Sequence, residues 1–327
     1  MKIAFVGDVH GCVLHALGAA VLLQARRGIQ LDAVIQVGDL GAYPSFERFD
    51  ESSRRFGRDH PAQGDFFRLL DPSPSFAEGV RRALKRVPPV LFVSGNHEDH
   101  DWLASIHEVA GAEVVPVDPL DAYHHVACGS VVEIAGQRVA FLGLIEAPGK
   151  MDLDEAGYAR LMSIEPGAVD VLVTHDGPYG MSRDRRGSVQ GSVKLSRLIE
   201  HLQPRLHVNG HYHHANGPRR YGRTTSYALA QLIQPKATRW EPEPINPEQR
   251  VTAGSVGLFD TETGDFEYIH DEWLADVKGD ALDLTELVTA TELRGQGRRA
   301  RARLTGPLAA RRHTSPRLPL EWHARPE

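Results

Sequence analysis

The sequence predicts an α/β fold, because short apolar runs with strand character alternate along the chain with longer segments of helical spacing. The runs predicted as strands cover residues 2–6, 33–37, 90–93, 169–173 and 206–208. The segments predicted as helices cover residues 13–26, 76–86 and 192–202. A chain of 327 residues with 41% hydrophobic and 24% charged residues can bury a substantial core, as globular proteins do.

The remaining segments are predicted as hairpins or insertions. Residues 131–144 and 251–270 each read as two strands joined by a turn. Residues 43–75 are polar and contain four prolines, and residues 234–250 also contain four, so both are interpreted as insertions between core elements.

The composition changes towards the C-terminus. We expect one large domain over residues 1–275 and a C-terminal extension over residues 276–327. From about residue 294 the extension is rich in Arg, Pro and Gly, which predicts a flexible, solvated tail. The alternative is a basic arm that contacts RNA or DNA.

Composition also limits the class of protein. A net charge of −6 argues against nucleic-acid binding through overall basicity. Two cysteines cannot build a disulfide framework, so a cytoplasmic location is expected. The N-terminal apolar run is too short for a signal peptide, and no stretch is apolar enough to span a membrane. The sequence does not indicate an oligomeric state.

Residues able to bind metal follow the predicted strands and hairpins at regular places. These stretches are Gly7-Asp8-Val9-His10-Gly11, Gly38-Asp39, Gly95-Asn96-His97-Glu98, Thr174-His175 and Gly210-His211-Tyr212-His213. In open α/β sheets, ligands bind beyond the carboxyl ends of the strands, so we expect these stretches to converge at one edge. Alternate side chains of an extended strand point to the same side, so Asp8 and His10 can address one ion.

The donor atoms in these stretches indicate the type of metal. Carboxylate and amide oxygens are mixed with imidazole nitrogens, a set that suits manganese, iron or zinc better than magnesium or calcium. Asp39 has two carboxylate oxygens and can therefore bridge two ions. His124, His125 and His207 lack the flanking pattern and are predicted not to be ligands.

In this order the stretches resemble the signature of the calcineurin-like metallophosphoesterases, over roughly residues 1–270. The resemblance implies two mixed β-sheets sandwiched between helices, so residues 1–275 would form a metallophosphoesterase domain. It implies that one ion is held by Asp8, His10, Asp39 and His213. It implies that the second ion is held by Asp39, Asn96, His175 and His211.

The resemblance also implies a chemistry. Two divalent ions, expected to be manganese with iron or zinc as alternatives, would generate hydroxide that attacks the phosphorus of a phosphate ester. His97 would lie near the substrate and would stabilise or protonate the leaving oxygen. The alternative for His97 is a hydrogen-bonding role without chemistry.

Within the superfamily, the segment after Asp39 lacks the Asp-Arg pair of the phosphoprotein phosphatases. Residues 174–180, 191–192 and 198–204 are instead similar to the corresponding stretch of RNA lariat debranching enzymes, in which cysteine commonly stands at the position of His10. Arg183 and Arg186 lie in the loop after His175 and could bind phosphate, or could form ion pairs within an exposed loop.

The expected reaction is therefore hydrolysis of a phosphodiester in a nucleotide or nucleic acid. The alternatives are a phosphomonoesterase, a nuclease recruited to nucleic acid through the Arg-rich tail, and a metal-binding homologue without activity.

Overall fold

The computed structural model describes residues 1–57, 60–147, 152–184, 186–237 and 243–293, apart from the side chain of Phe56. The strands, numbered in chain order, are β1 Lys2–Val6, β2 Ala33–Gln36, β3 Val90–Phe92, β4 Val114–Pro116, β5 Tyr123–Val126, β6 Val131–Ile134, β7 Gln137–Leu142, β8 Val171–Thr174, β9 Ser182–Arg183, β10 Val189–Gln190, β11 Leu206–Asn209, β12 Asn216–Tyr221, β13 Thr224–Ala228, β14 Val256–Asp260 and β15 Phe266–Tyr268.

The helices lie between these strands and after the last of them. They are α1 Val13–Arg27, α2 Glu51–Gly57, α3 Asp65–Leu70, α4 Pro74–Leu84, α5 His100–Ala110, α6 Glu155–Met162, α7 Val193–Leu202 and α8, residues 284–293. Short 3-10 helices cover Phe46–Arg48, Pro61–Gly64 and Glu272–Asp276.

Two mixed sheets form the centre of the molecule. The first has seven strands in the order β15-β14-β1-β2-β3-β5-β4, with β1, β2, β3 and β5 parallel and the other three antiparallel to their neighbours. The second has six strands in the order β12-β13-β11-β8-β7-β6, with parallel strands from β13 to β7 and antiparallel edges. Strands β9 and β10 form a separate ribbon. The predicted α/β fold class is confirmed.

Three apolar layers explain this arrangement. Side chains alternate across a strand, so Ile3 and Phe5 of β1 enter the layer between the two sheets, while Ala4 and Val6 face the helices on the other side. That outer layer contains α1, α3 and α4, and a third layer places α6 and α7 on the second sheet. Because both faces of each sheet are covered, strands such as β1, β2, β3 and β8 are largely apolar, which made them visible in the sequence.

Residues 43–75 contain more structure than the predicted insertion implies. Helices α2 and α3 form here, and Phe66 and Leu69 of α3 are fully buried in the layer beside α1. The segment is therefore part of the core, and it also contributes to the functional site described below.

The described part of the predicted extension packs against the same core. Leu284 and Val288 of α8 are 3% and 1% exposed and join the layer that contains α1 and α4. Arg82 of α4 donates a hydrogen bond from Nη1 to Thr289 Oγ1 at 3.2 Å. Residues 294–327, for which a flexible Arg-rich tail is predicted, lie outside the described residues.

Among the residues described, no helix has both the length and the apolar character needed to cross a bilayer.

The packing of α8 predicts a difference between two leucines of the same helix. Leu284→Ala should lower the free energy of unfolding by about 2–4 kcal/mol, because it leaves a cavity beneath the helix. Leu293→Ala is the matched control, because Leu293 is 64% exposed and its truncation should change stability by less than about 0.5 kcal/mol. Urea unfolding followed by circular dichroism measures both. Equal, small losses would show that α8 does not contribute to the core.

Candidate metal centre

The carboxyl ends of central strands from both sheets meet at one edge of the sandwich. Asp8, Asp39 and Asn96 follow β1, β2 and β3 of the first sheet, and His175 and His211 follow β8 and β11 of the second. Because neighbouring parallel strands end at the same edge, residues more than 200 positions apart come together here. His10 and His213 lie two residues beyond Asp8 and His211, as their spacing predicts.

Asp8, His10, Asp39 and His213 form a compact group. One possible ligand atom from each of the four lies within 4.8 Å of the others. His213 Nε2 is 3.2 Å from Asp8 Oδ2 and 3.2 Å from His10 Nε2, and His10 Nε2 is 3.8 Å from Asp39 Oδ2. These are the residues for which the family resemblance implies the first ion.

His175 marks a second group beside the first. Its Nδ1 donates a hydrogen bond to the carbonyl of Val37 at 3.0 Å, so the neutral ring carries its lone pair on Nε2. That Nε2 faces Asn96 Oδ1 at 3.2 Å and Asp39 Oδ1 at 3.3 Å. Three electron-rich atoms thus converge, which requires either a proton or a cation between them. The ring of His211 packs edge-on against His175, with 5.2 Å between centroids.

The charges at this edge are unbalanced without a cation. Asp8 and Asp39 are fully buried, and Asp39 Oδ2 is a buried oxygen without a hydrogen-bond partner. Burial by itself lowers the pKa of His175. The negative charge of Asp39 outweighs burial and raises this pKa to about 10, because a carboxylate stabilises a protonated imidazole beside it. Burial lowers the pKa of His10 to about 4, so His10 is neutral and its lone pair can bind a metal. These observations fit divalent cations.

The backbone is strained where it presents these side chains. Nine non-glycine residues in the described ranges have positive φ, and four of them are at this site: His10 at 47°, Asp39 at 57°, His211 at 71° and His213 at 61°. Left-handed backbone is unfavourable for residues with a Cβ and is retained mainly where function requires it. The strain turns each side chain towards the common centre.

Two glycines leave room for the buried carboxylates. A Cβ on Gly95 would lie 2.1 Å from Asp39 Oδ1, and a Cβ on Gly210 would lie 2.1 Å from Asp8 Oδ1. Backbone amides then orient the same oxygens: His97 N donates to Asp39 Oδ1 at 2.8 Å, and His211 N donates to Asp8 at 3.1 Å. The glycine before each of these ligand stretches therefore allows the next strand end to approach.

Glu98 is a structural residue of the site to which sequence analysis assigned no role. Its buried carboxylate accepts hydrogen bonds from Leu40 N at 2.6 Å and Gly95 N at 2.7 Å, and so joins the loop after β2 to the loop after β3. Burial and the charge of Asp39 raise the pKa of Glu98 to about 8. In the sequence, the signal that could have identified Glu98 is its position directly after His97.

Asp50 is a second residue that sequence analysis missed. His97 Nδ1 donates a hydrogen bond to Asp50 Oδ2 at 2.7 Å, and the same carboxylate accepts from the hydroxyls of Tyr43 and Ser53. Although burial opposes it, Asp39 and Asp50 raise the pKa of His97 to about 9. The contact fixes the ring of His97 and leaves Nε2 available. No motif surrounds Asp50, so only the fold reveals the pair.

The remaining candidates are not part of the ligand cluster. Arg183 Nη1 donates to the carbonyl of Gly187 at 2.8 Å, and the side chains of Arg183 and Arg186 are exposed at the surface rather than packed in the cluster. His125 and His207, predicted not to be ligands, are hydrogen-bonded to Ser94 and Thr174 within the core.

The site is thus an Asp/His cluster that could hold a metal ion, at the strand ends of a two-sheet α/β sandwich. The chain belongs to the calcineurin-like phosphoesterase family, whose sequence model matches residues 1–215. Every residue discussed as an ion ligand lies within the matched range.

Several solved structures are similar in fold at low identity. A protein of Thermus thermophilus is 15% identical, with a TM-score of 0.44, over 82% of this chain and 98% of that one. A structure described as a novel phosphatase of Mycoplasma pneumoniae is 12% identical, with a TM-score of 0.41, over 88% and 98%. GAP50 of Plasmodium, described as an anchor in the inner membrane complex, is 10% identical, with a TM-score of 0.42, over 89% and 94%. No functionally curated protein matches the chain.

The close approach at Gly210 predicts a specific loss of metal binding. Gly210→Ala should weaken Mn²⁺ binding about 10- to 100-fold, because the new Cβ displaces Asp8 or His211. Gly64→Ala is the matched control, because the nearest atom to its Cβ is 3.9 Å away. Isothermal titration calorimetry measures the affinity, and circular dichroism verifies folding. Unchanged affinity in folded Gly210→Ala would contradict the assignment of Asp8.

Proposed function

We propose that this protein hydrolyses a phosphodiester at a centre of two divalent metal ions, with manganese as the expected metal and iron or zinc as alternatives. The observation that carries the proposal is the position of Asp39. Its Oδ2 faces His10, and its Oδ1 faces His175, so one buried carboxylate adjoins both groups of ligand atoms. A bridging carboxylate is what a two-ion centre requires.

The chain would divide its ligands between the two ions. Asp8, His10, Asp39 and His213 would hold the first ion, and Asp39, Asn96, His175 and His211 would hold the second. Two such ions supply Lewis-acid charge that acidifies a water and neutralises phosphoryl oxygens. The protein contributes fixed ligand directions, because strained backbone and backbone amides orient the ligands before substrate arrives.

His97 is proposed as the catalytic residue that protonates the leaving oxygen. Its Nδ1 is engaged by Asp50, so Nε2 is the atom that can pass a proton to substrate. The ring lies beside His10, with 5.4 Å between centroids, and therefore borders the centre. Asp50 is a positioning residue, because it orients the imidazole and stabilises its charged form without facing the reacting atoms.

A phosphodiester is preferred to a phosphomonoester because the site lacks the arginine that follows the second aspartate in the phosphoprotein phosphatases. The stretch after His175 is also similar to that of RNA lariat debranching enzymes, which supports a nucleotide or nucleic acid as substrate. A phosphomonoester is the second candidate, since the same ligand set serves either.

The proposal also includes the organisation and location of the protein. A metallophosphoesterase domain covers residues 1–275, and an extension covers residues 276–327. The location is cytoplasmic, which is consistent with the free cysteines Cys12 and Cys128.

The test of the proposed function compares bis-p-nitrophenyl phosphate with p-nitrophenyl phosphate, after chelation and after addition of Mn²⁺. We expect Mn²⁺-dependent cleavage of the diester, and Asp39→Asn should retain less than about a tenth of it. Asp101→Asn, an exposed aspartate of α5, is the matched control and should keep full activity. Activity in the chelated protein, or in Asp39→Asn, would refute the two-ion centre. Cleavage of the monoester alone would select the second candidate.

The role of His97 predicts a dependence on the leaving group. His97→Ala should slow hydrolysis of diesters with an alkyl leaving group by about 100-fold or more, because an alkoxide needs a proton as it leaves. The same change should slow hydrolysis of p-nitrophenyl esters by less than about tenfold, because nitrophenolate leaves without needing a proton. Steady-state kcat for the two ester types measures the difference. Equal losses would assign His97 a structural role.

A further inference from the structure

A strongly basic segment of the chain contributes ligand candidates to the metal centre. Residues 177–223 contain nine arginines and lysines but only two acidic residues, whereas the whole chain has a net charge of −6. This segment lies between the ligand candidate His175 and strand β13, and it includes His211 and His213. Local positive charge on an acidic protein indicates a surface for an anionic partner.

Two elements of this segment lie side by side at the edge of the second sheet. The side-chain amide of Asn216, which begins the edge strand β12, donates to the carbonyl of Met181, directly before β9. Tyr221, at the end of β12, donates from its hydroxyl to the carbonyl of Tyr179 at 3.3 Å. The segment that leads into the β9–β10 ribbon therefore lies against β12.

This surface adjoins the metal centre. Ser182 of β9 lies with its Oγ 3.2 Å from Nε2 of His214, and His214 follows His213 in the chain. Beside this contact the side chains of Tyr179, Arg183, Arg186 and Arg219 are exposed, and we call these four residues the basic face.

The arginines of the basic face are free of carboxylates. Arg183 donates to the carbonyl of Gly187, and Arg219 donates from Nε to Asn216 Oδ1 at 3.2 Å, so both partners are neutral. Within the described ranges, neither they nor Arg186 have an acidic side chain within ion-pair distance. Many arginines outside the segment do form ion pairs, namely Arg26, Arg27, Arg48, Arg68, Arg82, Arg86 and Arg250. The guanidinium groups of the basic face therefore remain available for phosphate.

Tyr179 adds an aromatic platform to this charge. Its side chain is 54% exposed, while its backbone amide is held by the carbonyl of Ser192 and the hydroxyl of Ser196, both at 2.9 Å. An exposed ring on a fixed backbone offers a surface on which a base can stack. Stacking is possible only for an unpaired base, which favours a single strand over a duplex.

We propose that the basic face binds single-stranded nucleic acid and leads its phosphodiester backbone to the metal centre. The inference rests on the proposed function for the fate of the bound strand, but binding itself requires no catalysis. Arg183, Arg186 and Arg219 contact phosphates, and Tyr179 stacks on a base.

The test is fluorescence anisotropy of a labelled oligothymidylate with the full chain in EDTA, measured over a series of salt concentrations. Arg219→Gln should weaken binding about fivefold at 0.1 M salt and reduce the salt slope by about 0.7, as expected for one lost phosphate contact. Arg219→Lys should keep the slope. Arg138→Gln is the matched control, because Arg138 is an exposed arginine on β7, separated from β12 by three strands. Tyr179→Ala should weaken binding of the oligothymidylate about fivefold or more, and Tyr179→Phe should change this affinity little.

Four results would overturn the proposal. The first is absence of binding by the wild-type chain, and the second is a loss of affinity in Arg138→Gln equal to that in Arg219→Gln. The third is a duplex that is bound as tightly as the single strand. The fourth is binding that disappears on deletion of residues 294–327 but is unaffected by Arg219→Gln. Hydrolysis of bis-p-nitrophenyl phosphate is measured separately with Mn²⁺. Its absence would refute the proposed function and leave the binding result standing.

Discussion

The carboxylate of Asp39 is buried, and the surrounding structure is arranged around its charge. One oxygen accepts from the backbone of His97 and lies beside His175, while the other has no hydrogen-bond partner and faces His10. An ionised carboxylate in such a place is strongly unfavourable unless positive charge compensates it. The nearby histidines can provide that charge only by becoming protonated, which removes their ability to bind a metal. A divalent cation would resolve the conflict, because it would supply the charge and leave the imidazoles neutral.

This requirement explains features that would otherwise weaken the fold. Left-handed backbone at four non-glycine positions costs on the order of 1–3 kcal/mol for each, and these positions are adjacent to the central strands. The cost is tolerated because the strands themselves are anchored by apolar layers on both faces, so the strand ends cannot relax. Gly95 and Gly210 remove the remaining steric obstacle, and Glu98 joins two of the strand-end loops. The rigid core thus maintains the strain that directs the ligands.

Much of the central architecture could be predicted from sequence because its signals are local. Strand β1 has the predicted bounds, and each ligand candidate lies between one and four residues beyond the end of a strand. Asp50 could not be found in this way, because its position depends on tertiary packing: Tyr43 packs on Phe49, and Phe49 packs on Phe67, which places the carboxylate against His97. Strand β5 was missed for a similar reason. It contains His124 and His125, and the hydrogen bonds of His125 with Ser94 and His107 make a histidine acceptable in the core.

The distribution of charge connects the centre to its surroundings. An acidic protein repels a polyanion at long range, so a nucleic-acid strand would approach where the local charge is reversed. The basic segment of residues 177–223 provides such a region, and it is carried by the same loops that present His175, His211 and His213. The segment leading into the β9–β10 ribbon is hydrogen-bonded to the edge strand β12, and Ser182 of the ribbon contacts His214, the residue after the ligand candidate His213. Recognition and chemistry would then depend on one connected set of side-chain hydrogen bonds, so that a change in the loop after β11 would alter both.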